Sequence, residues 1–314
     1  MLRFISKNIG VALFQIVLVA TFVFLLLRFI PGDPAQLVLG SETATDPAAV
    51  EAMRATLGLD KPLMTQYITW VFDIIHLDFG KSLFNNMEVS SYLSERLPRT
   101  LELAIAAIII GSLIGIPLGI IASVKRGSFI DVVVSSISAI GMSFPVYVSG
   151  TVIILIVSLQ LQLLPASGYT NFSENPVLHI QRLILPAITI ALPFAATVAR
   201  MTRSSMLEVL NKEFVQTLRA KGLSEKLVIY KHVLRNAIMT VITVIGLELG
   251  SLIGGTVLIE FLFNWPGLSS LLVESINNRN YPVIQGVVIV IATSFILINR
   301  SVEIIYGLID PRTR

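Results

Sequence analysis

Long apolar runs broken by short polar clusters set the pattern of this chain. A helix needs about 20 predominantly apolar residues to cross a hydrocarbon core about 30 Å thick. Stretches of that kind run over Ile9–Ile30, Thr100–Val124, Val132–Leu159, Leu183–Met201, Ile238–Phe263 and Val283–Leu308. The pattern predicts an all-α membrane protein with six transmembrane helices. The first stretch follows Arg3 and Lys7, but it is too long for a cleaved leader and has no small-residue cleavage site before Arg28 and Pro31, so a retained helix is expected. The third carries Pro145 and Gly150 in its middle, which predicts a kink or local break.

Between the first and second stretches lies a segment, Pro31–Arg99, too long for a bare connection. In its part from Leu57 to Gly80, apolar and aromatic residues recur beside Asp60, Lys61, Asp73 and Asp78, the mark of short amphipathic helices. Such pieces lie at the membrane interface, pack over the helix bundle, or form a surface cap. The chain divides accordingly into residues 1–30 (N-terminal end and first helix), an outer segment 31–99, and a five-helix core 100–314 with a cytoplasmic loop at 204–237.

Composition supports lipid as the solvent. Of 314 residues, 54% are hydrophobic and 14% charged, where an ordinary soluble domain has about 25% charged residues. There are no cysteines, which removes disulfides and thiolate metal sites. The net charge of +3 is small and unevenly placed, which argues for membrane orientation and against nucleic-acid binding. Lys125 and Arg126 follow the second stretch, and Arg203, Lys212, Arg219, Lys221, Lys226, Lys231 and Arg235 crowd the connection between the fourth and fifth. Basic loops mark the cytoplasmic side, so both termini are expected there and Pro31–Arg99 outside.

Candidate chemistry is sparse. No phosphate loop and no dinucleotide turn occurs, so this chain is not expected to be an enzyme or to hold a nucleotide alone. His76, His179 and His232 lie far apart without a carboxylate or histidine one helical turn away, which favours ordinary interfacial or loop positions over metal ligation. Ionisable residues at membrane depth are costly and must face protein, water or a partner. Glu248 sits mid-way along the fifth stretch and Glu260 near its outer end. Glu248 is expected to line a translocation path, together with Ser143 and Pro145 at the interruption of the third stretch, the alternative being a purely structural role. Arg300 and Glu303 can pair on one helix face, and Glu102 is close enough to a helix end to reach water.

Two rows of glycine, Gly111, Gly115, Gly119 and Gly246, Gly250, Gly254, repeat every four residues, a spacing that lets helix backbones approach closely in lipid. The basic segment Ser204–Ala237 is rich in helix formers and punctuated by Gly222. One reading makes it a solvated loop that fixes topology; a sharper one makes two helices with a turn near Gly222 that dock another protein.

At this segment the sequence resembles the permeases of binding-protein-dependent ATP-driven importers. Their signature is Glu-Ala-Ala, three residues, Gly, nine residues, then Ile-x-Leu-Pro. The corresponding positions are Gln216, Thr217, Leu218, then Gly222, then His232, Val233, Leu234 and Arg235, so that the glycine and one leucine match. The departures are similar to those of the dipeptide, oligopeptide and nickel branch, in which RAKGL, at Arg219–Leu223, and HVLRNA, at His232–Ala237, have their counterparts. PGDPA at Pro31–Ala35, LGLDKPLMTQY at Leu57–Tyr67, LDFG at Leu77–Gly80, IEFLFNWPGL at Ile259–Leu268, YPVIQ at Tyr281–Gln285 and IDPRTR at Ile309–Arg314 resemble the same branch, in order and along nearly the whole chain.

The resemblance implies a type I ABC importer permease fold in a bacterial inner membrane, with a second homologous permease, two cytoplasmic ATPase subunits and an extracytoplasmic solute-binding protein as partners. It also implies that ATP and magnesium are bound on the ATPases and none in this chain. Glu213, Thr217, Arg219, Ala220, Lys221, Gly222 and Leu223 would form the helix that couples to an ATPase. Di- or oligopeptides are the expected cargo, with nickel chelates or glutathione as the alternative. A secondary transporter would need an inverted repeat, which is not visible, and a membrane enzyme would need a convergent acid, base or metal set, which cannot be assembled.

Overall fold

The computed structural model describes residues 2–29, 35–36, 39, 46–56 and 58–309. Among these residues the architecture is helical, and extended pairing is confined to an isolated bridge between Lys81 and Glu88. Helices α1 (Leu2–Phe29), α2 (Pro47–Thr56) and α3 (Leu63–Ile75) precede two long helices, α4 (Val89–Val124) and, after a broken pair, α7 (Pro176–Leu210). The broken pair is α5 (Phe129–Ser143) and α6 (Val146–Ile153), the latter continued by a π-helical stretch, Ile154–Gln160. The short helix α8 (Glu213–Ala220) and a single turn α9 (Glu225–Leu227) follow. A π-helical stretch over Val228–Val233 leads into α10 (Leu234–Gly255), and α11 (Val257–Leu262), α12 (Leu268–Asn277) and α13 (Tyr281–Ile309) complete the order.

Among the described residues five helical stretches are long and apolar enough to cross a membrane, and α5 with α6 and its π-helical continuation makes six if that pair, bent by 101°, counts as one broken span. The break falls at Phe144–Pro145, as the missing N–H and fixed φ of proline demand. Gly150 takes no part in it; it lies inside α6, buried, where a Cβ would come within 2.7 Å of Leu262 and 3.0 Å of Thr189. The fifth predicted stretch also differs from expectation. Its helix stops at Gly255 and restarts at Val257 around Thr256, so Glu260 lies on its own short helix and not on the one that carries Glu248.

The chain packs as two compact units, residues 1–99 with 266–297 and residues 100–265 with 298–314. In the first unit, Val89 and Leu93 at the start of α4 pack with Leu268 and Leu271 of α12 and with Val283 and Val287 of α13. Helix α3 lies over α1: Tyr67 shares a 2.7 Å hydrogen bond with Thr21, and Phe24 packs against the rings of Tyr67 and Trp70. Its other side leaves Met64, Ile68, Phe72 and Ile75 exposed, as expected of an amphipathic helix that covers a bundle and meets the membrane interface. PGDPA up to Pro34, and IDPRTR beyond Ile309, lie outside the described residues.

In the second unit α7 is the central helix, with buried positions along most of its length. At about 1.5 Å per residue its 35 residues exceed the hydrocarbon thickness. Ser204–Leu210, expected as the start of a separate helix, simply continues the span, because Met206 and Val209 are buried in an apolar cluster with Ile120, Val215, Val228 and Val233. Gly111, Gly115 and Gly119 of α4 are buried against α7, where added Cβ atoms would stand 3.1 Å from the Ala191 carbonyl oxygen, 2.6 Å from that of Ala195 and 2.5 Å from that of Ala199. The second glycine row is less uniform: Gly246 lies against Val302, Gly250 is buried and Gly254 is exposed.

Candidate functional site

Helix α8 is amphipathic with a narrow apolar face. Val215 is buried, Leu218 half-buried, and Glu213, Phe214, Gln216, Thr217, Arg219 and Ala220 are exposed. Those two apolar residues tie it to the cluster below, and an eight-residue helix could not persist in water without such packing. Its end is closed by a Schellman motif. The Leu223 N–H donates to the Leu218 carbonyl at 3.3 Å and the Gly222 N–H to the Arg219 carbonyl at 2.9 Å. Gly222 has φ +77°, a left-handed conformation that glycine adopts without steric cost. Leu223 turns back onto the apolar cluster beside Leu218, while Lys221 and Gly222 remain exposed.

A bidentate ion pair fixes the exit. Arg219 Nη2 and Nε donate to the Glu225 carboxylate at 2.6 and 3.1 Å, joining the last turn of α8 to the first residue of the next helix. This partner of Arg219 was not anticipated, although a spacing of six across a glycine turn is the clue that could have revealed it. The whole device, Glu213 to Glu225, is a knuckle between α7, which enters it through Asn211 and Lys212, and the helix that runs on to Gly255.

Of the second set of expected site residues, Glu248 lies further along the helix that runs to Gly255, while Ser143 and Pro145 lie at the break between α5 and α6. Glu248 of α10 is half-buried and lines a cleft of about 190 Å³ together with Ile190, Phe194 and Thr197 of α7, Leu252 of α10 and Val146 of α6. Pro145, which breaks the third span, therefore sits next to a cleft residue, while Ser143 is exposed and turns its hydroxyl back to the Ala139 carbonyl at 2.8 Å. Glu248 has no cationic partner among the described residues; Ser251 Oγ lies 2.9 Å from its backbone carbonyl and 3.1 Å from its Oε2.

The partners of three polar residues escaped the sequence reading. The Glu260 side chain is fully buried, and its Oε1 accepts from Thr100 Oγ1 at 2.9 Å and Thr256 Oγ1 at 3.0 Å. His179, expected as an ordinary interfacial or loop residue, is instead sealed among Tyr169, Phe172 and Trp265, with Nε2 2.6 Å from Glu102 Oε1 and Nδ1 2.7 Å from the Thr170 carbonyl. Its carboxylate partner comes from a residue 77 positions away, which no helical periodicity could indicate. Arg203, counted as a loop cation, is likewise paired with the buried Asp131 at 2.6 Å. The Arg300–Glu303 pair forms at 2.6 Å.

The model of the binding-protein-dependent transport system inner membrane component matches residues 115–314, and its companion for the N-terminal part matches residues 1–104. The chain is 41% identical to a probable peptide ABC transporter permease of Sinorhizobium fredii, over 95% of this chain and 94% of that protein. It is 37% identical to the dipeptide transport system permease protein DppB of Escherichia coli K12, over 100% of this chain and 99% of that protein. Among solved structures, an inward-facing methionine ABC transporter, MetNI, superposes with a TM-score of 0.59 at 18% identity, covering 70% of this chain and 96% of that one. An amino acid ABC transporter gives a TM-score of 0.53 at 16% identity, over 71% of this chain and 94% of that one. These structural likenesses concern the fold.

Proposed function

This chain belongs to the binding-protein-dependent transport system inner membrane components and is a multi-pass permease of an ATP-driven importer, and from that premise we propose that its cargo is short peptides and that α8 is the element the ATPases drive. Full-length identity of about 40% to permeases named for peptides supports the cargo. The observation that carries the coupling role is the Glu213–Glu225 knuckle, an exposed helix anchored by one buried side chain and welded to the two helices that line the Glu248 cleft.

The mechanics follow from that connection. A push on α8 cannot be absorbed by α8 itself, because the Schellman turn and the Arg219–Glu225 pair leave it little freedom at its end. It passes into α7 and into the helix leading to Gly255, whose facing residues Phe194, Thr197, Glu248 and Leu252 form the walls of the cleft. Closing and opening that cleft is how nucleotide-driven motion of the ATPases would reach the cargo. In this reading ATP and magnesium stay on two cytoplasmic ATPase subunits, a second homologous permease completes the path, and an extracytoplasmic solute-binding protein delivers the peptide. Both termini and the basic segment face the cytoplasm.

Three experiments test it. The chain has no native cysteine, so Ser173→Cys and Ser224→Cys should be labelled by an impermeant thiol reagent from opposite sides of the membrane; labelling from one side would remove the orientation. The Gly222→Glu subunit should insert normally, while its ATPases detach or hydrolyse ATP without moving peptide. Normal ATPase retention with normal uptake would place the docking contact elsewhere. Binding of a labelled dipeptide to the cognate solute-binding protein decides the cargo, and failure of peptides to bind there would overturn it.

A further inference from the structure

We propose that the Glu248 cleft is a binding site for a primary ammonium group, and that the free amino terminus of a peptide is held there in transit. This rests on the reading of the cleft as part of the translocation path. The cleft walls are mostly apolar, contributed by Val146, Ile190, Phe194 and Leu252, and Glu248 is the ionisable residue among its lining. No lysine or arginine offsets that carboxylate among the described residues. A carboxylate at membrane depth without a partner is expensive, and a cationic ligand is the compensation such a group invites.

The neighbouring hydroxyls narrow the ligand class. Thr197 Oγ1 donates to the Pro193 carbonyl at 3.1 Å, and Thr256 Oγ1 donates to the buried Glu260. Both line the cleft, and with their hydrogens committed elsewhere they can offer it only acceptor lone pairs. Ser251 Oγ shares its one hydrogen between the Glu248 backbone carbonyl at 2.9 Å and Oε2 at 3.1 Å, which leaves Oε1 unclaimed among the described residues. The cleft thus presents one negative charge and neutral oxygen acceptors and withholds donors. An ammonium group, with three donors and no acceptor, matches that inventory. A carboxylate or phosphate would find neither a donor nor a positive charge. A hard divalent cation takes six or more oxygen ligands, and the side chains lining the cleft offer one carboxylate and two hydroxyls.

The test uses the assembled importer in proteoliposomes, with Leu252→Cys as a reporter in the cleft and Val146→Cys as a second reporter should the first fail to assemble. Modification of this chain, which has no other cysteine, is followed by mass spectrometry with a cationic trimethylammonium and an anionic sulfonate methanethiosulfonate. The ratio of cationic to anionic rates should fall on the order of tenfold when Glu248→Gln is added. Glycylglycine should slow the modification, and N-acetylglycylglycine should not. If the reporter reacts but the ratio is the same with and without Glu248, or if the acetylated peptide protects equally, the ammonium site is overturned while the path survives. If neither reporter reacts in any nucleotide state, the cleft is closed to water, and the path reading falls with it.

Discussion

Glu260 and Arg219 are both ionisable residues on short helices of the same compact unit, and the protein handles them in opposite ways. Glu260 is sealed from solvent on α11 and takes the hydroxyls of Thr100 and Thr256. Arg219 stands at the open end of α8, and its partner Glu225 is more than half exposed. In the first place the polar groups hold helices together, because every unsatisfied bond there would be lost into an apolar interior. In the second they shape a surface, since water can replace either partner at little cost. A residue's charge therefore says less about its role than what covers it.

The largest expected effect is at the sealed end of this comparison. Glu260→Ala strips the acceptor from two buried hydroxyls and should cost about 3 kcal/mol, read as a lower unfolding temperature of the detergent-solubilised subunit. Glu260→Gln keeps an acceptor oxygen in place and should recover most of that loss. Equal stability of the alanine variant and the native chain would mean that Glu260 is not a structural tie. Next in size is Gly115→Leu. A Cβ there meets the Ala195 carbonyl oxygen at 2.6 Å and Val198 Cβ at 2.9 Å, so α4 and α7 must separate, at a cost of roughly 1–3 kcal/mol. An unchanged unfolding temperature would show that the seam can open freely.

How much of this was legible beforehand depends on the distance over which the signal acts. The apolar spans, the break at Pro145, the glycine row on α4 and the Gly222 turn are written in local spacing, and each can be read from a few consecutive turns. Glu260 was visible as an intramembrane carboxylate, but its removal onto a separate helix follows from the interruption at Thr256, directly after the Gly254–Gly255 pair. His179 with Glu102, and Asp131 with Arg203, are joined across 77 and 72 positions, and only the fold brings them together. The π-helical stretches at Ile154–Gln160 and Val228–Val233 likewise had no counterpart in the hydrophobic pattern.

Towards the open end the expected costs shrink and become backbone effects. Gly222→Ala adds a methyl group to empty space, since nothing lies within 4 Å of the added Cβ, yet φ +77° must still be held. The penalty should be about 1 kcal/mol, confined to the turn. Hydrogen exchange at the Gly222 and Leu223 amides would report it as faster opening, with the membrane helices unaffected. Unaltered exchange at both amides would mean that the Schellman turn does not set the end of α8.

The smallest expected effect on stability is at Arg219, and it is the one that separates a surface from a scaffold. Removing it in Arg219→Ala breaks an ion pair whose members are 43% and 54% exposed, and exposed pairs contribute about 0–1 kcal/mol, less at high salt. The unfolding temperature should therefore stay nearly constant, and what little change occurs should disappear as ionic strength rises. Coupling should behave differently. Without the pair, the end of α8 is no longer fixed to the helix that leads to Glu248, so a push from an ATPase is partly spent in bending the knuckle instead of moving the cleft. Peptide uptake per ATP hydrolysed should then fall severalfold in a subunit as stable as the native one. Glu225→Ala should give the same phenotype, and the double variant should be no worse than either single one, because both remove one and the same contact. If uptake per ATP stays unchanged in all three, the knuckle does not transmit force through this pair, and Val215 with its apolar cluster must carry the coupling alone.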